Sequence, residues 1–497
     1  MTVRNRAERS PSGVETADLC IVGAGIAGMN ALFAATRYLG RGHKVILVDR
    51  RIRPGGMWVD TYPYVRLHQP HGLFTAGNVA WTLDRDRSYL ANRNEVLDHF
   101  DHLVSVLGER VRVDEHYGWT LESTTESGGT IRSTFRAGDG DHMVVETPRL
   151  IKAYGLAVQP NDPLALSSPH VRSVSPNSWD VNGEEMRASD APVWIIGSGK
   201  TAMDTAHAII SRYPGREVNM VSGAGTFFLS RDRFYPSGTR RWWGGARPNG
   251  TAAAAALRFD GTNEKEVTDW FRTAYGTGPI PDATHNLYGI LSEAESTTIV
   301  NGLNTVIHDH LVDAVARGGA TQLRLRSGSS TPVDAGSWIV NCTGYVARGG
   351  HPYEPYMSDT GGVVTVDDRS AVLHLPTYMG YFLTHLMFLD KLHEIPLYEL
   401  DVQELREKGA ATVPYTLAAL AQYNLSLIAD SVPRKVLAEA GFSLDLWYPL
   451  PRQMVGLVEF ALSHRRQREH HRRTLDIVRD RFDIRCGPLV RGPRRSE

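Results

Sequence analysis

Two short glycine-rich turns, about 170 residues apart, carry the chemistry most readily read from this chain. The first is Gly23-Ala24-Gly25-Ile26-Ala27-Gly28, behind the apolar run Leu19-Cys20-Ile21-Val22. The second is Gly197-Ser198-Gly199-Lys200-Thr201-Ala202, behind Val193-Trp194-Ile195-Ile196. Each apolar run reads as a buried parallel strand, and each turn leads into an Ala-rich stretch that reads as a helix. In such a unit the first glycine permits a tight turn and the second lets backbone approach a pyrophosphate. A small third residue lets the helix pack on the strand. The helix N-terminus then presents free N–H groups and a positive dipole end to the anion. Two such turns imply two dinucleotides on one polypeptide, and so a redox enzyme that passes electrons between them.

The elements that must position these turns follow in order. A helix is expected over about residues 26–39, then a strand over 44–48 closed by Asp49. Asp49 stands 26 positions after Gly23, close to the spacing of an acid that holds ribose hydroxyls. The alternative is a solvated strand-end carboxylate. Residues 110–155 alternate apolar and polar and read as sheet, and residues 160–176, rich in Pro and Ser, read as a linker. The strand that partners the second turn is expected over 218–221, and another buried strand over 337–345, after which the chain returns to the first unit. From Asp401 onward the pattern is helical. The fold class is therefore α/β: two dinucleotide-binding, Rossmann-like domains, the second inserted into the first, plus a C-terminal helical extension. The expected divisions are a disordered tail over 1–15, a discontinuous first dinucleotide-binding domain over 16–165 and 331–400, a second over 166–330, and a helical region over 401–497.

Bulk composition narrows the function classes. The chain has 497 residues, 42% hydrophobic and 22% charged, enough for two or three ordinary globular domains. A net charge of −1 offers no global field for nucleic acid. The polar start lacks the apolar core of a secretory signal, and no run approaches the 18 apolar residues of a spanning helix, so no membrane role is expected. Cys20, Cys342 and Cys486 stand far apart, which argues against a redox-active disulfide and against a metal site, and fits a reducing cytoplasm. Two segments stay open. Residues 226–250 interleave Phe227, Phe228, Phe234, Tyr235, Trp242 and Trp243 with Arg231, Arg233, Arg240 and Arg241. That is the makeup of a single-strand nucleic-acid platform, or of a loop that covers a pocket, and its place inside a dinucleotide unit favours the loop. The basic run from His464 to Arg473 is either an anion- or metal-facing surface or a solvated helix face.

Beyond Asp49 comes Arg53-Pro54-Gly55-Gly56-Met57-Trp58, and the later strand ends in Cys342-Thr343-Gly344-Tyr345. An acid-ended strand, a Gly-Gly-x-Trp loop, a second glycine turn and a Thr-Gly-Tyr strand end, in this order, resemble the flavin-containing monooxygenases. The resemblance covers roughly residues 17–75, 190–222 and 335–346. It implies FAD on the first turn, held by Gly23, Gly25, Ile26, Ala27 and Gly28, with Asp49 and Arg50 at the adenosine ribose and Gly56, Met57 and Trp58 near the flavin. It implies a nicotinamide coenzyme, NADPH with NADH left open, on Gly197, Gly199, Lys200, Thr201 and Ala202. Thr343 and Gly344 would lie near the flavin side of the interdomain joint.

The stretch Tyr62-Pro63-Tyr64-Val65-Arg66-Leu67-His68-Gln69-Pro70 aligns with the Tyr-Pro-Gly-x-Arg-x-Asp of ester-forming relatives, with His68 in place of the Asp. That loss counts against ester formation from ketones and leaves oxygenation of nitrogen, sulfur or electron-rich carbon. His68 and Gln69 are then the candidate catalytic pair, or else packed loop residues. Two departures stand out. The family's Phe-x-Gly-x-x-x-His signature before the second turn is absent, and the strand after that turn ends in Ser222-Gly223 with neither arginine nor acid. Lys200 can assist a phosphate or be solvated. Gly380 to Leu386 is expected to open an apolar helix, with Thr384 near its start aimed at the flavin, or as an ordinary cap. The implied reaction is reduction of FAD by NADPH, capture of O2 as a peroxide adduct on the ring, and transfer of one oxygen to a small-molecule substrate. An oxidase or reductase on the same scaffold is the alternative, a non-catalytic flavin-binding protein that meets a partner through the basic tail is a third reading, and an oligomer is left open.

Overall fold

The computed structural model describes residues 13–156, 158, 160–286, 288–318, 320–344 and 351–489. Two five-stranded parallel sheets form its centre. The first runs, across the sheet, Arg112–Tyr117, Lys44–Asp49, Leu19–Val22, Leu150–Gly155, Val363–Asp367. The second runs Thr305–Ile307, Val218–Val221, Val193–Ile196, Trp338–Asn341, Arg172–Val174. In chain order the first sheet reads 3-2-1-4-5. The order therefore reverses between Leu19–Val22 and Leu150–Gly155, the kind of switch point beside which open α/β sheets bind ligands. The second sheet reverses in the same way between Val193–Ile196 and Trp338–Asn341. The chain completes four strands of the first sheet, builds the whole second sheet, and returns with Val363–Asp367. Strands Leu19–Val22, Val193–Ile196 and Trp338–Asn341 are buried at every position, as central parallel strands must be.

Antiparallel sheets flank these cores. Trp119–Ser127, Thr130–Ala137 and His142–Thr147 form a meander that matches the alternation expected over 110–155. Leu311–Arg317, Ala320–Leu325 and Ser330–Val333 form a second. Three helices, Val402–Gly409, Val413–Ser431 and Leu450–Phe482, make up most of the C-terminal region.

Several expectations need correction. Residues 1–12 of the expected tail lie outside the described residues, but Val14–Thr16 is a strand beside His142–Thr147. The expected linker over 160–176 contains the edge strand Arg172–Val174. The first helix spans Ile26–Ala35, short of residue 39. The aromatic-basic segment splits: Phe227, Phe228, Phe234 and Tyr235 are core, while Trp242 and Trp243 are exposed. The basic run lies within Leu450–Phe482, where Arg465 and Arg468 pair with Asp430, and Arg472 and Arg473 with Glu469.

The largest change concerns Thr384. The apolar helix begins at Pro376, whose fixed φ suits the first helical position, and runs to Phe388. Thr384 is fully buried in its middle, its hydroxyl donating to Gly380 O at 2.6 Å. This helix lies against Ile26–Ala35, and the crossing is so close that a Cβ on Gly380 would stand 2.2 Å from Ala27 O. Gly380→Ala must push the two helices apart. A loss of about 2 kcal/mol is expected, read as a lowered urea midpoint with an unchanged slope.

Candidate functional site

The two glycine turns are nearly the same object built twice. Gly23 has φ +108 and Gly197 φ +116. A Cβ on Gly23 would stand 2.3 Å from Ala153 O, and one on Gly197 2.7 Å from Cys342 O. Both first glycines are thus pressed on the neighbouring strand across the switch point, in a left-handed conformation that disfavours side chains. Gly25 and Gly199 are the N-caps of helices Ile26–Ala35 and Lys200–Arg212, with φ −86 and −75. Neither helix has a side-chain cap or an acid in its first turn. The third positions also match: a Cβ on Gly28 would meet Gly23 O at 1.8 Å, and Ala202 is fully buried.

The surroundings of the turns differ. At the first, the buried Asp49 carboxylate accepts the Ala24 N–H at 2.7 Å and the Arg51 N–H at 2.8 Å. Gly55 N donates to Ala24 O at 2.9 Å, and a Cβ on Gly56 would lie 2.8 Å from Gly25 Cα. The Gly-Gly loop therefore closes over the turn, backbone on backbone. Each Asp49 oxygen keeps a lone pair for a further donor. Arg50, next in the chain, is exposed. Met57 is exposed as well, and Trp58 is half-buried with its ring edge against Phe74. At the second turn, Ser198 Oγ donates to Ser222 O at 2.8 Å in the place that Asp49 fills at the first. No atom lies within 4 Å of a Cβ built on Gly199. Thr343 stands beside this second turn, its N 3.4 Å from a Cβ on Gly197, with Gly344 exposed after it. Tyr345 lies outside the described residues.

The stretch from Tyr62 to Gln69 joins the two units. Tyr62 OH donates to Asp204 Oδ2 at 2.7 Å, and Tyr64 OH shares a 2.8 Å hydrogen bond with Thr205. Asp204 in turn pairs with Lys200 one helical turn before it. Arg231 Nε donates to His68 O at 2.9 Å, while its Nη1 pairs with Glu295 at 2.9 Å. Burial, and then the charges of Lys200 and Arg231, push the His68 imidazole down to about 3, so it is neutral at ordinary pH. Gln69 Oε1 is buried with no hydrogen-bond partner among the described residues. Buried carbonyl oxygens are seldom left so, and a donor from a bound group would satisfy it.

The structure thus gathers Gly23, Gly25, Gly28, Asp49 and Gly56 at one turn, and Gly197, Gly199, Lys200, Thr201, Ala202 and Thr343 at the other, with His68 beside Lys200. It does not bring Arg50 inward, and Thr384 is not at a helix start. Asp204, Arg231 and Glu295 were not foreseen. The i,i+4 spacing of Lys200 and Asp204 was a usable signal for the first of them. Both turns fit a dinucleotide: uncapped helix starts, side-chain-free approaches, an available carboxylate at the first and open space at the second. A cleft of 730 Å3 lined by Arg41, Asp101, Glu109, Arg112 and Glu115 lies instead at the outer edge of the first sheet, and no residue of either turn lines it. Among the described residues no cluster of three or more His, Cys, Asp or Glu could hold a metal, and no helix is long and apolar enough to cross a membrane.

Residues 17–235 match the sequence family described as pyridine nucleotide-disulphide oxidoreductase. Among curated proteins, uncharacterised proteins of Mycobacterium tuberculosis and Mycobacterium bovis are 30% identical over 212 residues, 40% of this chain and 37% of theirs. The match spans little more than a third of those relatives' length. Among solved structures, an NADP+-bound cyclohexanone monooxygenase mutant from Rhodococcus sp. Phi1 has a TM-score of 0.50 at 14% identity, covering 84% of this chain and 98% of that one. A flavin-containing monooxygenase from Stenotrophomonas maltophilia gives 0.46 at 13%, covering 76% and 99%. Bacillithiol disulfide reductase from Staphylococcus aureus gives 0.44 at 13%, covering 76% and 99%. Both glycine turns thus lie within a segment similar to the pyridine nucleotide-disulphide oxidoreductases. The likeness to the cyclohexanone monooxygenase is one of fold, the α/β class with two dinucleotide-binding units that the glycine turns predict.

His68 is joined by other buried imidazoles that burial pushes down, His99 to about 3 and His374 to about 4. Such groups take up protons mainly on unfolding. Their contribution is full above the unfolded value near 6.5 and is lost as pH falls towards their folded values. Stability should therefore fall steadily from about pH 6.5 to 4.5, by up to about 1.4 kcal/mol per group per pH unit, read as a falling melting temperature. His99→Phe should flatten that slope in a calorimetric series.

Proposed function

We propose that the chain is an FAD-dependent, NADPH-reduced monooxygenase that transfers one atom of O2 to nitrogen, sulfur or electron-rich carbon of a small molecule. The observation that carries this reading is the pair of matched turns held together by Tyr62–Gln69, with a neutral imidazole and an unsatisfied amide oxygen on the joining segment. In this reading residues 16–165 and 331–400 form the FAD unit, 166–330 the coenzyme unit and 401–497 a helical region that helps close the site.

FAD, when bound, supplies the redox chemistry, taking two electrons from the coenzyme and passing them to O2. The chain's own residues do the rest. The first helix turn and Gly25 receive the FAD pyrophosphate, and Asp49 accepts the ribose hydroxyls. Gly199 and the start of Lys200–Arg212 receive the coenzyme pyrophosphate. Lys200 is largely neutralised by Asp204, so it contributes a donor more than a net charge. His68, neutral and beside Arg231, cannot release a proton into the site. That suits an enzyme whose oxygen-transferring state decays when water and protons enter. Gln69 orients a donor group through its free Oε1.

A dithiol mechanism finds no support. Cys20, Cys342 and Cys486 are all buried and unpaired, and burial holds the Cys342 thiol up at about 12. The decisive experiment is a screen of amines, thioethers and indoles that follows NADPH consumption against hydrogen peroxide release. A true substrate should suppress peroxide in proportion to product. Peroxide at full stoichiometry with every compound would leave an oxidase.

Gly199→Ala separates a ligand role from a structural one. The backbone there is unstrained and a Cβ meets nothing, so the melting temperature should hold. If the coenzyme pyrophosphate lies against Gly199, the KM for NADPH should rise about tenfold, close to 1.4 kcal/mol. An unchanged KM would place the coenzyme elsewhere.

A further inference from the structure

The 33-residue helix Leu450–Phe482 changes character along its outer face. In its first thirteen residues the exposed side chains are Leu450, Pro451, Met454, Val455, Leu457, Val458, Ala461 and Leu462, with Glu459 as the one charge. Leu450 is 66%, Leu457 61% and Leu462 69% exposed. From Arg465 on, that face carries Arg465, Arg466, Glu469 and Arg473. At 100° per residue the eight apolar positions fall in one arc about 160° wide, broader than the stripe a surface helix uses on its own core. Trp242 and Trp243, 49% and 85% exposed, adjoin the start of this arc. Their loop is held there by Arg452, which donates to Arg241 O at 3.1 Å and to Gly245 O at 3.1 Å. The combined patch is on the order of 1,000 Å2, larger than the ~300–600 Å2 of the biggest patch on a typical monomer and near the ~800 Å2 that each partner of a stable complex buries.

We infer that this face is a dimer interface, occupied by the same face of a second copy with the two helices antiparallel about a two-fold axis near residue 456. Three observations favour that occupant. Parallel pairing would set the two arginine-bearing second halves side by side, whereas antiparallel pairing separates them. About that axis Arg466 comes opposite position 446 of the second copy, within reach of its exposed tryptophans. Arg466 is exposed and has no ion pair among the described residues, whereas Arg465 is held by Asp430. A guanidinium on an indole face is a favourable contact, and two-fold symmetry makes it twice. A lipid surface fits less well. Beyond residue 462 the arginines other than Arg466 are matched by Asp430, Glu469, Asp476, Asp480 and Glu264, so the helix lacks the broad uncompensated basic face that anionic membranes recruit.

The test uses the full chain. Light scattering on the eluting protein should give twice the 55.0 kDa chain mass. Leu457→Arg should return it to the single-chain mass with an unchanged far-ultraviolet spectrum, and Arg466→Glu should weaken the dimer about tenfold. Leu457→Cys, close to the axis, should give a cross-linked dimer on a non-reducing gel. The three native cysteines are buried and give no background. If Leu457→Arg fails to fold, the cross-link decides. A wild-type monomer, a dimer that survives Leu457→Arg, or no cross-link overturns the proposal. So does a monomer that floats with phosphatidylglycerol vesicles.

Discussion

The structure depends on backbone lying against backbone where no side chain is allowed. A Cβ on Gly28 would sit 1.8 Å from Gly23 O, one on Gly23 would sit 2.3 Å from Ala153 O, and one on Gly380 would sit 2.2 Å from Ala27 O. These three contacts surround the start of a single helix, Ile26–Ala35. They hold it against its own turn, against the neighbouring strand and against a second helix. Its first N–H groups are aimed by that packing, and the carboxylate of Asp49 is held in place by the Ala24 N–H. A small shift of any of these surfaces would misdirect the helix start. The anion site is thus a product of core packing rather than of a flexible loop.

The second turn copies the dihedrals of the first but not its enclosure. Gly56 stands against Gly25, whereas the space beside Gly199 is open. Asp49 is replaced by a Ser198–Ser222 contact. Physically this is the contrast between a site that grips its ligand and one that exchanges it. Under the proposed function, a resident FAD would be served by the closed loop and the buried acid. A coenzyme that arrives and leaves each cycle would be served by the open approach and the neutralised lysine. The Tyr62–Asp204–Lys200 chain couples the two, because the residue that tempers the second site is hydrogen-bonded to the segment that follows the loop over the first.

Both turns and the strands behind them were legible in the sequence because only glycine tolerates the conformations and contacts found at Gly23, Gly28 and Gly197. Burial on both faces likewise writes itself as Leu19–Val22 and Val193–Ile196. The position of Thr384 was not read correctly, although the signal was present: Pro376 marks a helix start, and Gly380 is tolerated inside the helix because Ala27 O passes there. The edge strand Arg172–Val174 escaped because three residues among Pro and Ser show no period. Asp204 was visible as a partner of Lys200, but its bond to Tyr62 crosses 142 residues of sequence and exists only once the two units meet. Arg231 is a comparable case. Composition shows arginines among aromatics, and only the fold shows one of them on the carbonyl of His68 and against Glu295.

The aromatic-basic segment links the interior to the outer surface. Its first half, Phe227 to Tyr235, is core and brings Arg231 to the joint between the two sites. Its second half exposes Trp242 and Trp243 and is tied by Arg452 to the start of the long C-terminal helix. Tyr448 OH bonds both Phe234 O and Ala246 O at 2.8 Å, which closes the loop from the other side. Anything that presses on Leu450–Leu462 therefore bears on a short rigid path through Tyr448 and Phe234 to Arg231. Because that path is made of buried rings and satisfied backbone carbonyls, it has few ways to yield. Covering the outer face would accordingly stiffen the segment that carries Arg231 to His68 and Glu295, without any residue of that face reaching it.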